Sequence, residues 1–371
     1  MANNLKILIS GGGTGGHIFP ALSLAEELKK RYPNCEILFV GAKGKMEMEK
    51  IPNAGYDIVG LPIRGIQRKL SLKNLTFPFL LLYSMFKAFL VIKRFKPNFV
   101  IGTGGYASGP TLKMASLLKI PSFIQEQNSF PGITNRWLSK TVRNIFVAYG
   151  EMNKFFPDNK IIYSGNPLRD IFSNGAYSKA EAREKLGLPD DKKVVLVLGG
   201  SQGAMSINNS LNHKINDFIK SDVCVLWQTG KLFYDQNKNL SEELKHKNIF
   251  LTPFIKDMHL AYSAADLVVS RAGALTISEM SLCGVPAIFI PLPSAAENHQ
   301  MKNALKLADS NAAIIVEDNK ALEKLVNEAL ILLDDDKRLN TFRNNIKEFA
   351  VPNSASKIID KILSVLNIQS D

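Results

Sequence analysis

The fold is decided by the stretch SGGGTGGHIFP, residues Ser10–Pro20. It follows an apolar run at Leu5–Ile9 that predicts a buried strand, and it precedes Ala21–Lys30, whose apolar spacing predicts a helix. Five of the six residues Gly11–Gly16 are glycine, which allows a sharp turn and a close approach to a ligand. N–H groups at the start of the helix would favour an anion there, and a tight turn without a ligand is the alternative.

Length and composition predict a two-domain globular protein. The chain has 371 residues, of which 46% are hydrophobic and 22% charged. The three cysteines form no CxxC or Cys/His pattern, which argues against disulfides or zinc and fits a reducing compartment. The first residues, MANNLKILIS, lack a basic segment followed by a long apolar one, so we expect no signal peptide.

The positive charge is concentrated in the first half of the chain. Residues 1–165 contain 22 lysines and arginines against nine aspartates and glutamates, whereas the remaining residues contain 24 against 25. Such an asymmetry predicts contact with nucleic acid or with an anionic membrane surface. No zinc finger, aromatic RNA-binding pattern or basic heptad helix accompanies the charge, so we expect no nucleic-acid partner.

Strand-like and helix-like segments alternate in both halves of the sequence. This alternation predicts an α/β fold with two Rossmann-like, doubly wound parallel-sheet domains, whose ligands lie at the carboxyl ends of the strands. We predict the first domain at 1–165, the second at 166–353 and a closing helix in the tail, 354–371. The predicted strands lie at 5–9, 37–40, 99–101, 122–125, 145–147, 161–166, 194–198, 223–227, 249–253, 267–270 and 287–291.

The apolar segment Leu75–Ile92, LTFPFLLLYSMFKAFLVI, approaches the length of a membrane span. Lys87 inside it, Pro78 near its start and the need for a crossover helix argue against spanning. Basic flanks suit an interfacial helix on anionic lipid, with one face on the sheet and the other on the membrane. A buried crossover helix is the alternative. The flanking residues are Arg64, Arg68, Lys69, Lys73, Lys93, Arg94 and Lys96.

The glycine loops suggest where a nucleotide binds. Gly11–Gly16 fits GxGxxG, but the second strand ends at Gly41–Ala42 without an acid for a ribose, and no Walker motif is present. The second loop, Gly199–Ala204, offers N–H groups and the Ser201 hydroxyl to a diphosphate. Glu279 could bind a ribose diol, or be a favourable acid in the first turn of its helix. No Asp-x-Asp motif lies at a plausible site, so we expect no metal.

Two residues are candidates for the catalytic base. His17 is the only histidine of the first half and follows the glycine loop; it could instead position substrate or backbone. Glu126 lies in a loop rich in amides and could be a base, a positioning group or a structural residue.

Seven segments, in order along nearly the whole chain, resemble the MurG family of bacterial glycosyltransferases. They are Gly11–Pro20, Gly102–Pro110, Glu126–Asn128, Gly165–Arg169, Gly199–Ala204, Arg271–Glu279 and His299–Gln300. The resemblance implies a GT-B fold, in which two Rossmann-like domains face a cleft and a C-terminal helix returns to the first domain. It implies inverting, metal-independent transfer of N-acetylglucosamine from UDP-N-acetylglucosamine to the lipid-linked muramyl-pentapeptide of peptidoglycan synthesis, forming lipid II, without a cofactor.

The resemblance also implies roles for residues. Ser201 would contact the diphosphate, Ile255 the uracil through its backbone, and Glu279 the ribose. The donor-binding set is Thr14, Gly15, Gly16, Asn128, Arg169, Ser201, Ile255, Ala274, Leu275, Thr276, Glu279 and Gln300. The acceptor set is Gly104, Gly105 and Tyr106. The membrane set, Phe79, Leu82 and Phe86, is predicted from the apolar segment Leu75–Ile92 itself. The family often has histidine where this chain has Gln125, which shifts the catalytic role towards His17 and Glu126.

An enzyme with a lipid-linked acceptor must reach a bilayer. The resemblance therefore implies peripheral attachment to an anionic membrane surface at the cytoplasmic face of the inner membrane, with cell-wall synthesis proteins as candidate partners. Three alternatives stay open: another GT-B transferase with a lipid acceptor, a UDP-sugar epimerase, and a membrane scaffold that retains a nucleotide site.

Overall fold

In the computed structural model, the described residues are 5–65, 75–169, 172, 177–199 and 203–368. The chain divides into two compact units, Met1–Arg169 with Val351–Asp371, and Asp170–Ala350. Among the described residues, each unit contains one parallel β-sheet, with seven strands in the first and six in the second.

The first unit alternates strands and helices from its first strand onward. Its strands are β1 (Lys6–Gly11), β2 (Glu36–Ala42), β3 (Asp57–Leu61), β4 (Phe99–Gly104), β5 (Ser122–Glu126), β6 (Asn144–Val147) and β7 (Ile161–Tyr163). Its helices before the second unit are α1 (Gly15–Arg31), α2 (Glu47–Asn53), α3 (Phe77–Phe95), α4 (Ser108–Leu117) and α5 (Ile133–Leu138), with short 3-10 helices at Met152–Lys154 and Asp158–Lys160. The strand order is β3-β2-β1-β4-β5-β6-β7, so the chain reverses direction across the sheet between β1 and β4.

The second unit repeats this pattern. Its strands are β8 (Val194–Leu198), β9 (Cys224–Gln228), β10 (Ile249–Thr252), β11 (Leu267–Ser270), β12 (Ala287–Phe289) and β13 (Ala313–Ile315). Its helices are α6 (Lys179–Leu186), α7 (Met205–Lys220), α8 (Lys231–Gln236), α9 (Lys238–Lys245), α10 (Met258–Ala264), α11 (Ala274–Cys283), α12 (His299–Asp309), α13 (Ala321–Asp334) and α14 (Asp336–Lys347), with 3-10 helices at Ala296–Asn298 and Asp318–Lys320. The strand order is β10-β9-β8-β11-β12-β13.

The central strands are apolar on both faces because helices cover both sides of each sheet. All five residues of β8 are buried, as are the last five of β1. The predicted pair of Rossmann-like parallel sheets is confirmed.

The last helix, α15 (Ser354–Val365), belongs to the first unit. Its apolar stripe, which includes Ile358, Ile359 and Ile362, lies in the same buried cluster as α1. Arg31 at the end of α1 pairs with Asp360 on α15. A buried stripe and an ion pair therefore attach the tail to the first sheet.

Two edge strands, β3 and β13, are absent from the sequence prediction. β13 has only three residues, and β3 contains a glycine and only two buried residues, so neither has the continuous apolar run of a central strand. One consequence concerns the apolar segment after β2. Helix α3 connects the edge strand β3, rather than β2, to β4.

Candidate active site

A buried carboxylate supports the glycine loop between β1 and α1. Glu47, fully buried at the start of α2, accepts from the Gly13 N–H at 2.8 Å and from the Ala42 N–H at 2.9 Å. A Cβ at Gly12 would lie 2.1 Å from the Glu47 Oε1 atom, so the loop and the carboxylate are packed in contact. One N–H of the expected anion site is therefore already occupied by a group of the protein.

The rest of the loop keeps donors available. Thr14 precedes α1 with an extended backbone, and Gly15 and Gly16 form its first turn. Within the described part of the chain, nothing accepts a hydrogen bond from the Gly15 or Gly16 N–H. Thr14 and Gly16 are exposed, so this turn can contact a polar ligand.

His17, in the first turn of α1, has its ring fixed by β4 and the loop after β5. The Nδ1 atom lies 2.9 Å from the Thr103 carbonyl oxygen and 3.1 Å from Gln127 Oε1. A carbonyl oxygen only accepts, so in the neutral ring the proton is on Nδ1 and the lone pair on Nε2. The ring is half-buried, and no described residue hydrogen-bonds to Nε2. His17 is thus in the tautomer that a general base at Nε2 needs.

The predicted acceptor residues lie beside this ring. Gly104 has φ +100°, and a Cβ there would be 2.8 Å from His17 Nδ1. Gly105 has φ +86°, and a Cβ there would be 2.2 Å from the Gly12 carbonyl oxygen. The half-exposed Tyr106 ring packs on Gly65 and reaches to within 3.9 Å of the Cβ position of Gly13. The loop after β4 therefore packs directly against both His17 and the glycine loop.

Replacing Gly104 by alanine should displace the His17 ring. The new Cβ would collide with the imidazole, and the positive φ adds strain of about 1–3 kcal/mol. We expect a lower melting temperature and at least a tenfold loss of turnover. Gly150→Ala is the matched control, because Gly150 has an ordinary φ and nothing within 4 Å of its Cβ position. Unchanged melting and turnover in Gly104→Ala would contradict the described packing.

Glu126 is committed to holding its own loop. The side chain is buried, and its carboxylate accepts from the Asn128 N–H at 3.0 Å, the Gly132 N–H at 3.2 Å and the Asn135 Nδ2 atom at 2.8 Å. The Asn128 amide, half-buried, also donates to Glu126 at 3.3 Å. With its oxygens engaged by four donors, Glu126 fits the positioning role better than that of a base. Gln127, which the sequence analysis does not single out, is the member of this segment that touches His17.

The second unit brings its predicted residues to the corresponding edge of its own sheet. Ile255 follows β10, and its N–H already donates to Gln228 Oε1 at 2.8 Å. Gln300, in the first turn of α12, accepts from the Leu292 N–H at 2.9 Å, which fixes the loop after β12. Ser201 lies outside the described residues.

Glu279 lies on α11, and Ala274–Thr276 form the beginning of that helix. Glu279 is the sixth residue of the helix, and the first turn contains no acid, so the first-turn interpretation is wrong. Its Oε2 atom accepts from the Tyr262 hydroxyl at 3.1 Å. Burial and the neighbouring Glu279 raise the pKa of Tyr262 well above its usual value, so the hydroxyl stays protonated and donates.

The structure therefore groups the predicted site residues by unit. In the first unit, the strands β1, β4 and β5 are neighbours, and their carboxyl ends carry Thr14, Gly15, Gly16, His17, Gly104, Gly105, Tyr106, Glu126 and Asn128. Arg169 is exposed and is the last residue of Met1–Arg169, the longer of the two segments that form the first unit. In the second unit, Ile255, Ala274, Leu275, Thr276, Glu279 and Gln300 follow β10, β11 and β12.

Helix α3 presents an apolar face to solvent. Its buried residues, Ser84, Ala88 and Ile92, recur every four residues and form one narrow stripe. The predicted membrane residues are exposed instead: Phe79 is 75% exposed, Leu82 65% and Phe86 57%. Tyr83 and Leu90 extend this exposed face of α3, which comprises Phe79, Leu82, Tyr83, Phe86 and Leu90.

The alternative of a buried crossover helix with solvated flanks is wrong, because only Ser84, Ala88 and Ile92 of α3 are buried. The basic flanks are described in part: Arg64, Lys93, Arg94 and Lys96 are, whereas Arg68, Lys69 and Lys73 lie outside the described residues. Lys87 donates to the Gly60 carbonyl at 2.9 Å, which ties the helix to β3. Within the described ranges, no helix meets the length and apolarity that crossing a bilayer requires.

Comparison with known proteins gives a match to both units. The Glycosyltransferase family 28 N-terminal domain matches residues 7–147, and the Glycosyltransferase family 28 C-terminal domain matches residues 194–358. Two curated relatives, from Christiangramia forsetii and Cytophaga hutchinsonii, are 47% and 48% identical. The alignment with the first relative covers 99% of this chain and 99% of that relative. The alignment with the second covers 98% of this chain and 97% of that relative. Both are named UDP-N-acetylglucosamine–N-acetylmuramyl-(pentapeptide) pyrophosphoryl-undecaprenol N-acetylglucosamine transferase.

The chain is also similar to solved structures. The crystal structure of Acinetobacter baumannii MurG is 31% identical, with a TM-score of 0.77 over 97% of this chain and 99% of that one. A UDP-N-acetylglucosamine 2-epimerase has a TM-score of 0.62 over 99% of this chain and 98% of that one, but is only 12% identical, so it shares the fold alone.

Proposed function

The chain belongs to glycosyltransferase family 28, within the group of muramyl-pentapeptide N-acetylglucosamine transferases, and we propose that it catalyses their reaction. It has the GT-B fold of that group. It transfers N-acetylglucosamine from UDP-N-acetylglucosamine to the 4-hydroxyl of undecaprenyl-diphosphate-linked N-acetylmuramyl-pentapeptide, converting lipid I to lipid II. The observation that carries the proposal is the 47% identity over 99% of the chain to a relative of that name.

In the first unit, we assign the acceptor to the surroundings of His17. The Nε2 lone pair takes the proton of the 4-hydroxyl while its oxygen attacks the anomeric carbon of the donor from the face opposite UDP, inverting the configuration. Gly104, Gly105 and Tyr106 line the side on which the acceptor approaches, and Glu126 holds the loop of Asn128 as a positioning residue. Thr14, Gly15 and Gly16 contribute hydrogen-bond donors to the N-acetylglucosamine of the UDP-sugar.

In the second unit, we assign the nucleotide to the loops after β8, β10 and β11. Because the Ile255 N–H is already engaged by Gln228, its carbonyl is the group that accepts from uracil. Glu279 accepts from the ribose hydroxyls, and Ser201 contacts the diphosphate. Ala274, Leu275, Thr276 and the Gln300 amide contact the sugar. Arg169, a residue of the first unit, is also assigned to the nucleotide. The leaving diphosphate is stabilised by backbone donors.

Removing the Tyr262 hydroxyl should weaken donor binding. In Tyr262→Phe, Glu279 loses the donor that fixes its Oε2 atom, so we expect the KM for UDP-N-acetylglucosamine to rise about fivefold with little change in kcat. Tyr234→Phe, on a half-buried tyrosine of the same unit, is the control and should leave KM unchanged. An unaltered KM in Tyr262→Phe would argue against Glu279 as the ribose ligand.

We further assign the exposed face of α3 to the membrane. A lipid-linked acceptor stays in the bilayer, so the first unit must come to it. Apolar side chains supply insertion, and the lysines and arginines at the end of α3 supply attraction to anionic lipid. The enzyme is then a peripheral protein of the cytoplasmic face of the inner membrane, where cell-wall synthesis proteins are its candidate partners.

The deciding experiment incubates the protein with UDP-N-acetylglucosamine and a lipid I analogue. We expect the disaccharide product by mass spectrometry. Product from UDP-galactose instead would indicate another lipid-directed GT-B transferase. Conversion of the UDP-sugar without acceptor would indicate an epimerase, and nucleotide binding without any product would indicate a scaffold.

A further inference from the structure

A line of buried amides leads from His17 to the end of β7. Gln127 Oε1 accepts from His17 Nδ1 at 3.1 Å, and Gln127 Nε2 donates to Gln125 Oε1. Gln125 Nε2 then donates to Asn166 Oδ1 at 3.0 Å. All three amide side chains belong to residues at most 2% exposed. They are therefore out of reach of substrate, and Gln127 contacts the His17 ring.

The orientation of these amides is fixed by the backbone. An amide can be turned over, exchanging its oxygen and nitrogen, unless its neighbours allow only one arrangement. Here two nitrogens face carbonyl oxygens, which only accept: Asn166 Nδ2 donates to the Gln127 carbonyl at 3.2 Å, and Gln127 Nε2 to the Thr103 carbonyl at 2.8 Å. Turning either amide over would bring two oxygens together. The face of Gln127 that meets His17 is therefore its oxygen.

From this geometry we propose that Gln127, oriented by Gln125 and Asn166, is a positioning residue that keeps the proton of His17 on Nδ1. In the other tautomer, the Nδ1 lone pair would face two oxygens, Gln127 Oε1 and the Thr103 carbonyl, with no proton between them. The amide line thus reserves the Nε2 lone pair for the acceptor hydroxyl. The inference rests on the proposed role of His17 as the base.

The test reads the tautomer directly. Nitrogen NMR of the full chain with ¹⁵N-labelled histidine, assigned with His17→Gln, should show His17 protonated on Nδ1. In Gln127→Met, which keeps the bulk but removes the acceptor, we expect the tautomer ratio to shift about fivefold towards Nε2–H. Turnover should fall by a similar factor, with the KM for UDP-N-acetylglucosamine unchanged. Gln125→Met should shift the ratio in the same direction by less.

Gln228→Met is the matched control, since it removes an equally buried glutamine from the second unit and should leave the His17 signals unchanged. A wild-type His17 protonated on Nε2, or a folded Gln127→Met with the wild-type ratio, would overturn the proposal. If Gln127→Met does not fold, the proposal is tested by the tautomer of wild-type His17 and by the shift of the tautomer ratio in Gln125→Met. The turnover of His17→Ala tests whether His17 is the base. The NMR signals of the ring are recorded without substrate, so they test the tautomer separately from that question.

Discussion

His17→Ala is expected to lower turnover about 10²- to 10⁴-fold while leaving the affinity for UDP-N-acetylglucosamine nearly unchanged. The loss follows from the ring's geometry. Nδ1 is engaged by Thr103 and Gln127, so Nε2 is the only ring atom left to take the acceptor's proton. No contact with the donor is assigned to the imidazole, so donor binding should not depend on it. Steady-state kinetics with a lipid I analogue and calorimetric titration with UDP-N-acetylglucosamine measure the two quantities.

Two further variants sharpen this prediction. His17→Gln retains a polar side chain of similar reach but has no basic nitrogen, so we expect it to be as inactive as His17→Ala. His213→Ala removes an exposed histidine of the second unit and should be fully active. Turnover within threefold of wild type in His17→Ala would remove His17 from the mechanism and leave the base to another group.

Replacing Phe79, Leu82 and Phe86 together by serine is expected to release the protein from anionic vesicles. If each side chain contributes about 1.5 kcal/mol on insertion, the three together change the partition coefficient roughly a thousandfold. These residues are exposed, so the fold should be unaffected. Sedimentation with phosphatidylglycerol vesicles measures the binding. Titration with UDP should give wild-type affinity, because none of the residues assigned to the nucleotide lies on α3.

The matched control places the same change elsewhere. Leu322 and Ile331 on α13 are also exposed apolar residues, but they belong to the second unit, so their replacement by serine should leave vesicle binding intact. Raising the salt concentration should weaken wild-type binding without abolishing it, since salt screens the basic residues but not insertion. Vesicle binding that is unchanged in the triple variant would refute the assignment of the α3 face.

The sequence is most informative where one physical constraint dominates. Central strands such as β8 are continuous apolar runs because both faces are buried, and they are predicted nearly residue for residue. Edge strands such as β3 are partly solvated, so their apolar pattern is weak. The α3 segment is an intermediate case: Phe79, Leu82 and Phe86 are predicted from the sequence for the membrane face and are exposed, and the structure adds Tyr83 and Leu90 to that face.

The site shows a different limit. His17 and the glycine loop stand out in the sequence because glycine and histidine have special chemistry. Glu47 and Gln127 act through contacts between segments that are distant along the chain, and one sequence does not reveal such contacts. An acid shortly after the second strand is a signal that could have pointed to Glu47. For Gln127, its position between Glu126 and Asn128 in the recognised segment is the corresponding signal.

The return of α15 to the first sheet has a consequence for biosynthesis. The core of that unit includes Ile358, Ile359 and Ile362, which leave the ribosome only after the whole of Asp170–Ala350 has been made. The second unit is continuous in sequence and can complete its core earlier. N-terminal domains usually fold first during synthesis, but here the first unit can complete its fold only after the second. Until then the nascent chain carries both an incomplete first core and the apolar α3 face, and we expect it to depend on chaperones or early contact with the membrane.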